Sequence, residues 1–112
     1  MEIAIQSIRF EASKQLEAFI QKKVSRLSKF NDDVYRADVT LKVIKPETNE
    51  NKDASIRLSL LRIELFAQEV ADTFEEAIDK CVNKLERQVV KYKEKQRSKN
   101  KVNDFSDDSE LA

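Results

Sequence analysis

The 112-residue chain has no glycine, no histidine and no tryptophan, and only one cysteine and one proline. Without histidine there is no His-based acid–base catalysis, and with Cys81 alone there is no Cys and His cluster to hold zinc. Without glycine, nucleophile elbows and glycine-rich phosphate loops lose the residue whose backbone freedom they require. Carboxylates remain, but no pair is expected to be both buried and adjacent, so neither an enzyme nor a cofactor is expected. A single cysteine cannot form an internal disulfide, and Cys81 is expected to pack as a small hydrophobe.

Long apolar runs are also missing. No stretch approaches the roughly 20 residues of a membrane span, and the start "MEIAIQSIRF" lacks the basic and apolar regions of a signal peptide. The expected location is the cytoplasm, with no membrane partner. What remains is 40% hydrophobic, enough for one globular core, and 38% charged, well above the usual quarter. A chain of this length makes one domain that buries about two-thirds of its unfolded surface.

Ile3, Ile5 and Ile8 among polar neighbours predict a first strand over 2–9. Ser13 is placed to cap a helix over 14–29, where Leu16, Phe19, Ile20, Val24 and Leu27 recur at helical spacing. In "VYRADVTLKVIK" the residues Tyr35, Ala37, Val39, Leu41 and Val43 alternate with polar ones and predict a second strand. The stretch "PETNENKD" reads as a mobile loop. Two antiparallel strands follow, one around Ala54, Ile56, Leu58 and Leu60, the other around Ile63, Leu65 and Ala67. Their turn near "SLLR" lacks the glycine or Asn-Gly pair that a tight hairpin prefers.

Either Asp72 with Glu75 or Thr73 with Glu76 has capping-box spacing. Phe74, Ile78, Cys81, Val82, Leu85 and Val89 then mark a helix that reaches the middle nineties. Residues 98–112 carry little to bury and are expected to form a flexible acidic tail, leaving 1–97 as the domain. One-sided strands and one-sided helices in this order predict an α+β, β-α-β-β-β-α two-layer sandwich: a four-stranded sheet with two helices on one face. The first two strands, joined by a helix crossover, are expected to be parallel.

Formal net charge is zero, yet the signs are segregated. Asp104, Asp107, Asp108 and Glu110 are four acids after Lys101, so the rest of the chain has 21 cations against 17 anions, an excess of four. At roughly 100° per residue, Lys80, Lys84, Arg87, Lys91 and Lys95 fall within an arc of about 80°, centred about 120° from the apolar stripe. Lys22, Arg26 and Lys29 form a similar row on the first helix, with Lys23 nearer the core edge. A lone row reads as a solvated face. Two rows on helices packed side by side point to one continuous cationic surface for a phosphate polymer. Tyr35 and Tyr92 suit packing at the core edge better than base stacking. With few exposed aromatics, the natural target is duplex or structured RNA, recognised through its backbone and shape.

"AIDKCVNKLERQVVKYKEK" at 77–95, supported by "FEASKQLEAFIQKKVSRLSKF" at 10–30 and "VTLKVIK" at 39–45, resembles the ribosome hibernation promoting factors and related ribosome-associated translation inhibitors. The resemblance covers about residues 1–97. It implies a domain similar to double-stranded RNA-binding domains that occupies the decoding channel of the small ribosomal subunit. There, family members contact ribosomal RNA where messenger and transfer RNA would lie, which inhibits translation in stationary phase or stress. The implied partners are the small subunit and its RNA, with no small-molecule substrate and a monomer off the ribosome.

Carried over by position, Lys23, Arg26, Lys84, Arg87, Lys91, Lys93 and Lys95 match basic positions of the family motif. Lys42 and Lys45 match less closely, and Lys22, Lys29 and Lys80 come from helical geometry alone. The chain departs from the family in lacking a glycine after the third strand and in a loop about one residue longer before "AIDK". Ending at Ala112, it resembles a short form without the domain that pairs ribosomes. Its tail fits either an extension that opposes ribosome dimers or a solubilising end. Two other readings stay open, a general duplex-RNA binder and a protein-interaction domain using Phe66, Leu61 and Ile44 on an open sheet face.

Overall fold

The computed structural model describes residues 1–44 and 50–101, with the side chains of 95–101 left aside. Lys45, the loop residues 46–49 and the tail from 102 onward lie outside the described residues. Strand β1 (Glu2–Ile8) leads to helix α1 (Lys14–Ser25). Its first turn is capped as expected: the Leu16 N–H donates to the Ser13 hydroxyl at 3.0 Å, satisfying one of the free donors of a helix start.

The expected helix to 29 changes character at its end. Residues Arg26–Lys29 form a 3-10 turn, with Leu27 buried beneath it. Nearby, the Ser25 and Ser28 hydroxyls donate back to the carbonyls of Lys22 and Ser25 at 3.1 and 2.9 Å. Such hydroxyl bonds to the preceding turn accompany the tightening.

Strands β2 (Arg36–Val43), β3 (Lys52–Ser59) and β4 (Glu64–Ala71) complete a sheet in the order β1-β2-β3-β4. β1 pairs parallel with β2, and the other two pairings are antiparallel. The last helix, α2 (Phe74–Lys101), starts at Thr73, whose hydroxyl accepts from the Glu76 N–H at 3.1 Å. Of the two capping candidates this selects Thr73. Asp72 instead accepts from the Glu50 N–H at 2.7 Å and ties the β2–β3 loop to the start of α2. α2 also runs past its expected end, because Lys, Glu, Gln and Arg extend a nucleated helix at little cost after the apolar stripe stops.

Both helices cover one face of the sheet. Ile20, Val24 and Leu27 meet Val39, Leu41 and Ile56 in the core, and Ile78, Cys81, Leu85 and Val89 close it from α2. Burying each large side chain contributes about 1.5–3 kcal/mol. Cys81 behaves as expected: it is fully buried, donates to the Ala54 carbonyl at 3.4 Å, and its thiol is pushed up to about 12 by burial and then by the Glu69 carboxylate.

The hairpin between β3 and β4 closes around Leu61 and Arg62, with the Leu60 N–H donating to the Ile63 carbonyl at 2.8 Å. The positive φ angles that glycine would supply occur elsewhere, at Arg9 (67°) and Glu50 (53°). Tyr92 packs at the core edge as expected, whereas Tyr35 is 53% exposed at the entry to β2.

Candidate nucleic-acid interface

The cationic row of α2 is anchored by its apolar stripe. Leu85 and Val89 are fully buried, so Lys84, Arg87 and Lys91, displaced around the helix, are exposed. The row overhangs β4, the open edge of the sheet. Lys84, Arg87, Gln88 and Lys91 border a depression of about 430 Å³ whose floor is Phe66, Ala67 and Gln68. Lys84 is ion-paired with Glu69 of β4, and Lys80 with Glu76 one turn earlier at 3.8 Å. Among the described residues Arg87 and Lys91 have no carboxylate within ion-pair distance.

The α1 row is arranged differently. Lys22, Arg26 and Lys29 are exposed, while half-buried Lys23 reaches across the helix seam to Asp79 at 3.2 Å and lies over the Phe19 ring at 5.6 Å. α1 packs on the flank of α2 that carries Asp79 and Glu86, about 120–140° around the helix from the α2 row. Asp79 and Glu86 therefore lie on the flank of α2 between the two rows. A second depression of about 430 Å³ on that flank is lined by Phe30, Glu86, Arg87, Val90 and Lys91, so the α2 row also borders the seam with α1. Arg87 and Lys91 form the ridge between the two depressions.

Three other positions fall away from this ridge. Lys42 is exposed on the sheet face opposite the helices, since its neighbour Leu41 points into the core. Lys93 is exposed on the flank of α2 nearest α1, about 160° from the row. Lys95 continues the row by its place in α2, but its side chain, like Lys45, lies outside the described residues.

The residues the row expectation omitted are Phe66, Gln68 and Gln88. Phe66 had a legible signal, an aromatic at a solvent-facing position of an alternating strand; it is 52% exposed. Among the described residues no group of His, Cys, Asp and Glu is arranged to hold a metal, and no helix is long and apolar enough to cross a membrane.

The family model for sigma 54 modulation protein / S30EA ribosomal protein matches residues 3–97. The chain belongs to this family. The match spans both helices and all four strands, and the S30EA family is one of ribosome-associated factors rather than enzymes. Solved structures agree on the fold. The N-terminal domain of Protein Y from Thermus thermophilus is similar with a TM-score of 0.72 and 25% identity, over 82% of this chain and 99% of that one. A ribosomal subunit interface protein from Coxiella burnetii has the same fold, with a TM-score of 0.74 and 24% identity over 83% of this chain and 98% of that one.

Proposed function

We propose that this S30EA-family chain is a hibernation factor, whose domain at residues 1–97 binds ribosomal RNA in the decoding channel of the small subunit. In that position it blocks the messenger and transfer RNA sites and inhibits translation in stationary phase or stress. It acts as a cytoplasmic protein, monomeric off the ribosome. The observation that carries the RNA surface is the exposed Arg87–Lys91 ridge, whose cations lack carboxylate partners among the described residues and are held in place by a buried stripe one face away. Membership of the S30EA ribosomal protein family supports the ribosomal setting.

The chemistry is phosphate neutralisation. Each contact releases a condensed counterion, so affinity falls linearly on logarithmic axes with a slope of about 0.9 per duplex phosphate. The row presents guanidinium and ammonium groups with few aromatics, which suits the phosphates and hydroxyls of an A-form helix. Co-sedimentation with small subunits tests this: Arg87→Glu with Lys91→Glu should abolish binding at moderate salt, and unchanged binding would remove this surface from the account. Competition separates a ribosome-directed factor from a general duplex binder, because free duplex RNA should displace only the latter as well as small subunits do.

A further inference from the structure

On the sheet face that the helices leave open, charges are arranged mostly in satisfied groups. Arg36 donates to both Asp38 oxygens from Nε at 3.1 Å and from Nη2 at 2.8 Å, and it also pairs with Glu2 at 3.1 Å. The Gln68 amide donates to Asp53 at 3.0 and 3.1 Å. A solvated sheet face needs nothing more.

Among the groups outside this arrangement, Arg57 and Phe66 sit side by side. Arg57 is exposed and, among the described residues, its side chain has neither an ion pair nor a hydrogen bond, while the Asp38 opposite it is engaged by Arg36. Its direct cross-strand partner is Phe66, half-exposed on edge strand β4. Together with Gln6, Asp38, Thr40 and Ser55 they line a depression of about 330 Å³, within the roughly 300–1,000 Å³ of ligand sites.

Phe66 also forms part of the floor below Lys84, Arg87 and Lys91. Phe66 therefore borders both the helix-side groove and the sheet-face depression, with Arg87 and Lys91 on one side and Arg57 on the other. An aromatic face, a guanidinium and a rim of the Gln6 amide and the Thr40 and Ser55 hydroxyls, with the Asp38 carboxylate offset by Arg36, match one unstacked nucleotide: a base on the ring, a phosphate on the cation, a base edge or 2′-hydroxyl on the polar rim. A duplex cannot use them, since its bases are already stacked. A protein partner fits less well, because the ring is flanked by cations and hydrogen-bonding groups rather than by an apolar patch.

We propose that single-stranded RNA runs from the Arg87–Lys91 ridge around the β4 edge onto the open sheet face, stacking one base on Phe66 and placing one phosphate on Arg57. This rests on the α2 row being an RNA surface and adds a second, base-stacking part to it. Fluorescence anisotropy with an unstructured oligoribonucleotide about ten nucleotides long, beside a blunt RNA duplex, tests it. Phe66→Ala should weaken the single strand roughly 5- to 150-fold, the range for one lost base stack, and leave the duplex within about twofold. Phe66→Tyr should restore binding. Arg57→Gln should lower the single-strand salt slope by about 0.7, one phosphate contact.

Circular dichroism confirms that each variant is folded. Unchanged single-strand affinity in both Phe66→Ala and Arg57→Gln would overturn the path. Loss of small-subunit binding by Phe66→Ala with intact oligonucleotide binding would also overturn it, by assigning the ring to a protein contact. Arg87→Glu with Lys91→Glu is read separately: if that variant keeps duplex and small-subunit binding, the helix-row reading fails whatever Phe66 does.

Discussion

On α1, Lys23 closes an ion pair with Asp79 at 3.2 Å and spreads its stem over Phe19, while on α2 Arg87 and Lys91 meet no carboxylate among the described residues. Both helices carry cations at three- and four-residue spacing beside an apolar stripe, so the spacing alone does not separate them. The difference comes from what lies alongside. α1 faces Asp79 and Glu86 across the seam, whereas the ridge of α2 rises over Phe66 and Gln68, with Glu69 taken up by Lys84. A cation committed to an internal carboxylate has less field to offer an incoming phosphate, so the α2 ridge should dominate RNA binding and α1 should assist.

The largest effect should come from removing the apolar support beneath a row. Leu85 under α2 and Ile20 under α1 are both fully buried, and alanine at either should cost about 2–5 kcal/mol in urea unfolding. If the rows differ only in electrostatics, the two costs should be alike.

A pH test addresses the anchoring of α2 alone. The Cys81 thiol, ordinarily at 9.0, is pushed up to about 12 by burial first and the Glu69 carboxylate second. Its neutral form is favoured by folding, so the stability it contributes is intact below pH 9 and is lost as pH rises through about 12. Urea midpoints should fall more steeply above pH 9 for the native protein than for Cys81→Ala, and Cys81 should resist thiol alkylation until the protein unfolds. Parallel pH curves for the two proteins would contradict this.

Smaller effects are expected at the loops and the seam. Arg9 holds a left-handed conformation that glycine adopts freely, and Arg9→Gly should leave stability unchanged or raise it by up to about 1 kcal/mol in the same assay. Asp79→Asn removes the partner of Lys23 and should cost less than about 1 kcal/mol, because both groups are partly solvated. It should also strengthen RNA binding slightly by releasing Lys23, which narrows the difference between the rows.

Much of the fold was legible because its elements are strongly one-sided. Ala37, Val39 and Leu41, then Ala54, Ile56 and Leu58, alternate at period two and are all buried, and the stripe of α2 from Ile78 to Val89 is buried as read. The end of α2 was not legible, since after Tyr92 no apolar residue reports the helix and only propensity carries it to Lys101. Nor was the placement of positive φ: attention falls on the glycine-free hairpin, but Arg9 and Glu50 carry the strain.

The candidate site divides in the same way. Arg87 and Lys91 stand where helical geometry puts them, but the ion pair from Lys84 to Glu69 joins residues on different elements, and no local pattern reports it. The opposite orientation of Lys42 was available from the alternation itself, because Leu41 points inward. The seam carboxylates were invisible to a reading that placed each helix by its own stripe. Asp79 and Glu86 matter only once α1 is seen to pack against that flank.

Small-subunit co-sedimentation across a salt series separates the two rows with two matched charge reversals, Arg87→Glu with Lys91→Glu on α2 and Lys22→Glu with Lys29→Glu beside the seam. The α2 pair should abolish binding at moderate salt, while the α1 pair should weaken it by a smaller factor and keep a salt dependence close to that of the native protein. Equal losses from both pairs, or a larger loss from the α1 pair, would contradict the dominance of the α2 ridge.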